Sequence, residues 1–96
     1  MAAGDAYIVS PVTVTDTSFL DLQPGASVEV VIHNITIPQG TSAELYHYDG
    51  TDTILVMSFN SALFNLQLHA TNSVYWRVKN VSGASRIYGA DGMTTK

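Results

Sequence analysis

The sequence predicts an all-β domain, a small antiparallel β-sandwich or jelly-roll-like barrel of seven or eight strands. Three observations predict it. Runs rich in β-branched and aromatic residues recur at about ten-residue spacing, as they do in sandwiches and barrels. Clusters of Gly, Pro, Asn, Asp and Ser separate these runs. No window carries the 3.6-residue apolar period of an amphipathic helix.

The first run, Tyr7–Thr15, alternates around Pro11. Proline offers no N–H to a ladder, so this is an edge strand or one broken at Pro11. Asp16-Thr17-Ser18 is a turn, and Phe19–Leu22 a short strand closed by Gln23-Pro24-Gly25, a type II turn candidate. Ser27–Ile37 is the longest segment. Its apolar phase runs Val28, Val30, Ile32 and then Ile35, Ile37, slipping by one at His33-Asn34. One extra residue restores the pleat, which predicts a β-bulge there.

Pro38-Gln39-Gly40 ends that strand, and Ala43–Phe59 follows as a hairpin about Asp49-Gly50, two residues suited to tight hairpin turns. Its second strand holds Ile54, Leu55, Val56 and Met57 in succession, apolar on both faces. A strand wet on one side would alternate. Either the chain covers both faces itself, or one of them meets another chain. Ala62, Phe64, Leu66 and Leu68 then alternate with polar residues and read as a half-buried strand. Val74, Trp76 and Val78 give the clearest period-two pattern, which places Trp76 in the core. Asn80–Ser85 is a loop, Arg86–Tyr88 with Gly89 a last short strand, and residues 91–96 a C-terminal tail. Residues 1–96 form one domain, with residues 1–6 as an N-terminal arm.

Charge narrows the function. The chain has four basic and eight acidic residues, a net charge of −4, and only 12% charged residues against about 25% in ordinary globular proteins. Arg77, Lys79, Arg86 and Lys96 are the whole basic supply, too few and too scattered for nucleic acid or an anionic membrane. A small domain with so little charge favours an oligomer or a subunit docked in an assembly. There is no cysteine, hence no disulfide or thiolate chemistry. The N-terminus lacks the features of a secretory signal, so synthesis in the cytoplasm is expected, and the sequons at Asn34 and Asn80 read as chance matches.

No catalytic or metal-binding pattern emerges. His33, His47 and His69 fall on three separate strands without metal-pair spacing. Asp49-Gly50-Thr51-Asp52 lacks the later ligands of an EF-hand, so turn chemistry accounts for it. Neither a nucleophile elbow nor a convergent pair of carboxylates is visible. No enzyme activity and no cofactor are expected. Tyr46 and Tyr48 share a face with Glu44 and read as exposed, suited to a subunit interface or a ligand.

Three stretches, ELYHYDGTDTIL (Glu44–Leu55), LQLHATNSVYWRVKN (Leu66–Asn80) and VSGASRIYGADGMTTK (Val81–Lys96), resemble the small head-decoration or cement proteins of tailed phages and related head-fibre bases. The resemblance implies a β-sandwich or β-tulip-like subunit, a homotrimer on the capsid surface of the virion, bridging and stabilising the major capsid protein. Under it, the interface candidates are Tyr46, Tyr48, Leu55, Met57 and Phe59, with the arm Ala2–Tyr7 as a capsid contact. The alternative is a carbohydrate-binding or receptor-binding module of a fibre or tail. That reading needs Tyr46, Tyr48 or Tyr75 as a platform for a glycan beside Asn72 or Gln67.

Overall fold

Alternation of apolar and polar residues buries one face of each strand, and two such sheets close on each other. The computed structural model describes residues 3–96. It contains eight strands: β1 (Ala6–Val14), β2 (Phe19–Leu22), β3 (Val30–Thr36), β4 (Ala43–Tyr48), β5 (Thr53–Phe59), β6 (Leu68–Ala70), β7 (Tyr75–Asn80) and β8 (Arg86–Thr94). They form two four-stranded antiparallel sheets, ordered β1-β8-β3-β6 and β2-β7-β4-β5. The all-β sandwich expected from the sequence is the fold. Between the sheets lie Leu22, Val30, Ile32, Ile35, Leu45, Val78 and Tyr88, each almost wholly buried. Each such aliphatic side chain contributes about 1.5–3 kcal/mol on leaving water.

Several local expectations hold. β1 is an edge strand, and its pairing with β8 skips between Val9 and Val12, around Pro11. The ladder of β3 with β8 shifts between Ile32 and Asn34, the bulge expected from the phase slip. Trp76 packs against the core cluster, and its indole N–H donates to the His69 carbonyl at 3.0 Å.

Others are corrected. Ala62–Leu66 is not a strand: only Leu63 bridges to Ile35, Asn65 takes a left-handed φ of 59°, and Phe64 is 64% exposed. β3 begins at Val30, because Ser27 also sits at positive φ. Gly25 is not left-handed, so Pro24-Gly25 makes no type II turn. Gly40 is, at φ 81°, in a turn closed by the Thr41 amide donating to the Pro38 carbonyl at 3.3 Å. At the hairpin only Gly50 is left-handed, and the Asp49 amide donates to the Asp52 carbonyl across a longer turn.

β8 runs on to Thr94 instead of ending at Gly89. Its glycines let backbones meet: a Cβ at Gly92 would collide with the Val31 carbonyl and come within 2.9 Å of the Ile32 Cα. Asn80 is fully buried and is no glycan acceptor. Its side-chain amide donates to the Val14 and Ala84 carbonyls, both at 2.8 Å. Its oxygen accepts from the Ser82 amide at 2.9 Å, so it ties β7 to β1 and to the loop before β8.

Candidate functional site: an uncovered edge strand

The two ladders of β4 determine which way β5 faces. Leu45 and Ala43 are core residues, so Met57 and Phe59 opposite them lie on the inner face. Ile54 lies opposite His47, whose ring packs at 4.5 Å from Trp76, and is likewise inward. Leu55 is paired with Tyr46 on the outer face, and Val56 is the extra residue of a bulge between Leu45 and Tyr46. This bulge accounts for four apolar residues in succession, because it interrupts alternation without losing either face.

Nothing in the described chain covers them. β5 is the outermost strand of its sheet, next to β4 alone. Ile54, Leu55, Val56 and Met57 are 40–52% exposed, including the two that face inward. The other sheet edges are protected. β1 is interrupted at Pro11, and β2 and β6 have only four and three residues. β5 has seven residues with neither charge nor proline.

Beside β5, the outer face of its sheet carries ordered aromatics. Arg77 donates from Nε to Asp21 at 2.6 Å and from a terminal nitrogen to Thr53 at 3.2 Å, with its guanidinium 4.0 Å above the Phe19 ring. Phe19 meets Tyr46 edge-on at 5.3 Å, and Tyr48 packs at 5.0 Å on Tyr75. The Tyr46 hydroxyl donates to Glu44 at 2.7 Å. That bond, some desolvation and the carboxylate charge together raise its pKa.

A second apolar surface lies on the outer face of the β1-β8-β3-β6 sheet. Ile8 is 66% exposed and Met93 46%; Met93 pairs with Ala6 on one side and Val31 on the other. Sequence reasoning missed this surface, since each residue is an isolated outward position in an ordinary alternation.

The remaining candidates are scattered. Tyr7 is half-buried and packs on the core cluster, and burial raises its pKa. Ala2 lies outside the described residues. Asp49 Oδ1 accepts from the amides of Asp52 (2.8 Å) and Thr51 (3.0 Å), which hold its pKa below the ordinary aspartate value. The histidines stay apart: His33 at the β3 bulge, His47 against Trp76, and His69 3.4 Å from Glu29. Two open clefts are present, of about 420 Å³ near Ser42, Ser58 and Asn60, and about 390 Å³ near His33, Asn34 and Gln67. No carboxylate lines either.

No protein-family model matches the chain, and no curated protein matches it. Among solved structures it is similar to the core of Drosophila NLP, described for pentamer formation and histone binding. The TM-score is 0.52 at 14% identity, over 95% of this chain and 98% of that one. At that identity the likeness is one of fold.

It overturns the phage reading, together with its trimer, its major-capsid partner and its glycan-binding alternative. Of the residues behind that resemblance, Asp49-Gly50 and Thr71–Ser73 are turns and Tyr88–Gly92 is the middle of β8, all ordinary parts of an antiparallel sandwich, whereas the NLP-core likeness spans nearly the whole of both chains. Tyr46, Tyr48 and Tyr75 are engaged with Phe19, Glu44 and one another rather than laid open as a sugar platform.

Proposed function

We propose that this chain is a non-enzymatic, oligomer-forming β-sandwich that holds a basic protein partner, in the manner of a histone-binding core. The observation that carries this reading is β5, seven residues at a sheet edge with apolar side chains uncovered on both faces. Four adjacent half-exposed large apolar side chains mark an interaction surface. The fold shared with a pentamer-forming core supports a ring of copies as the means of covering them.

The acidic balance supports the partner. A ring of five would concentrate five times the −4 charge of one chain, attracting a polycation and speeding its encounter. Asp49 and Asp52 at the hairpin tip are exposed, and Asp49 stays ionised well below neutral pH.

The test is a titration of fluorescently labelled core histones with the purified protein, followed by anisotropy at several salt concentrations. Saturable binding that weakens as salt rises is expected, with no binding to an acidic protein of similar size. Absence of histone binding at low salt would refute the partner, whatever the oligomeric state.

A further inference from the structure

We infer that copies of this chain join head to tail, the overhanging β5 of one seated on the Ile8–Met93–Val31 face of the next. This rests on the oligomeric reading above and names the two surfaces that build it. A cyclic assembly larger than a dimer needs a heterologous contact, in which one surface meets a different one on the neighbouring copy. Among the described residues, two apolar surfaces lie on different sheets. One is β5, which overhangs its own sandwich. The other is the outer face of the opposite sheet, where Ile8, Met93 and Val31 lie on neighbouring strands β1, β8 and β3.

The acceptor's carboxylates already have partners. Asp91 lies opposite Ile8 and accepts from the Asn34 side chain at 2.7 Å, and Glu29, two residues before Val31, sits 3.4 Å from His69 and 3.6 Å from Lys96, so docking leaves both partnered. β5 itself carries no charge. Pairing of β5 with another β5 is the competing arrangement. It closes after two copies, leaves Ile8 and Met93 in water, and needs a regular row of edge amides, which the bulge at Val56 interrupts. Head-to-tail docking through side chains covers both surfaces at once.

A mixing experiment separates the arrangements. Met57→Asp spoils the β5 surface and Ile8→Asp spoils the acceptor; both positions are exposed, and circular dichroism checks that each variant folds. By native mass spectrometry each variant alone is expected at the 10.3-kDa mass of one chain. An equimolar mixture is expected to give a 1:1 heterodimer, since one intact β5 meets one intact acceptor and growth stops there. Leu55→Asp mixed with Met93→Lys should repeat the result. A mixture that stays monomeric, or Ile8→Asp assembling alone as wild type does, would overturn the inference. Ile8→Asp forming a dimer with itself would instead establish β5 self-pairing. A wild-type chain that is itself monomeric defeats the oligomeric reading; an oligomeric wild type without complementation defeats only the head-to-tail contact.

Discussion

Asn80→Ala removes the most heavily used polar side chain in the core. Asn80 is fully buried, and its amide supplies the hydrogen bonds that satisfy the Val14 and Ala84 carbonyls and the Ser82 amide. A net hydrogen bond contributes about 0.5–1.5 kcal/mol, and a buried polar group left without a partner costs about 1–3 kcal/mol. The Val14 carbonyl is deepest, while Ser82 and Ala84 regain water in part, so the sum is about 3–5 kcal/mol. Against a total stability of about 5–15 kcal/mol this is a large share. Urea denaturation followed by Trp76 fluorescence should show the midpoint falling by about 1–5 M with an unchanged slope, for a slope of about 1–3 kcal/mol per M. Ser82→Ala, which leaves the bonds to Val14 and Ala84 intact, should cost about 1 kcal/mol. A loss below about 1 kcal/mol in Asn80→Ala would refute the view that this side chain ties the two sheets together.

Three further outcomes follow from named contacts. The Tyr88 hydroxyl is buried without a hydrogen-bond partner among the described residues, so Tyr88→Phe should leave stability unchanged or raise it by up to about 2 kcal/mol, read as melting temperature. Gly92→Ala drives a methyl group into the β3 backbone at Val31 and Ile32 and should cost about 2 kcal/mol or more, or prevent folding, as thermal unfolding will show. The Asp49 carboxylate should titrate by NMR below an ordinary aspartate, because the Asp52 and Thr51 amides favour its charged form. A depressed folded-state pKa stabilises the hairpin turn above the unfolded value and is lost as pH falls through the folded one. Amide exchange at Thr51 and Asp52, corrected for intrinsic rates, should therefore lose protection in that acidic window.

The fold was legible where one period ran unbroken. Val74, Trp76 and Val78 mark β7, and the phase slip at His33 marks a bulge because a one-residue shift moves every later side chain to the other face. Legibility failed where backbone geometry overrode pattern. Ala62–Leu68 alternates correctly, yet a left-handed Asn65 interrupts it. Gly89 and Gly92 look like strand breakers, but β8 passes through both, at Gly92 because a close approach to β3 leaves no room for a Cβ. The unbroken apolar run pointed to half of the candidate site, β5. The Ile8–Met93–Val31 face stayed hidden because its residues are far apart in sequence and only the β1-β8-β3 order brings them together. The phage resemblance misled for a related reason: Asp-Gly and Thr-Asn-Ser turns are common to antiparallel sandwiches and carry little information about family.

In the proposed assembly β5 is covered by another copy of this chain. Light scattering on the eluting wild-type protein at micromolar concentrations tests it most directly. A mass five times the 10.3 kDa of one chain is expected, collapsing to one chain in Met57→Asp. A folded wild-type protein that elutes at the mass of one chain would contradict it.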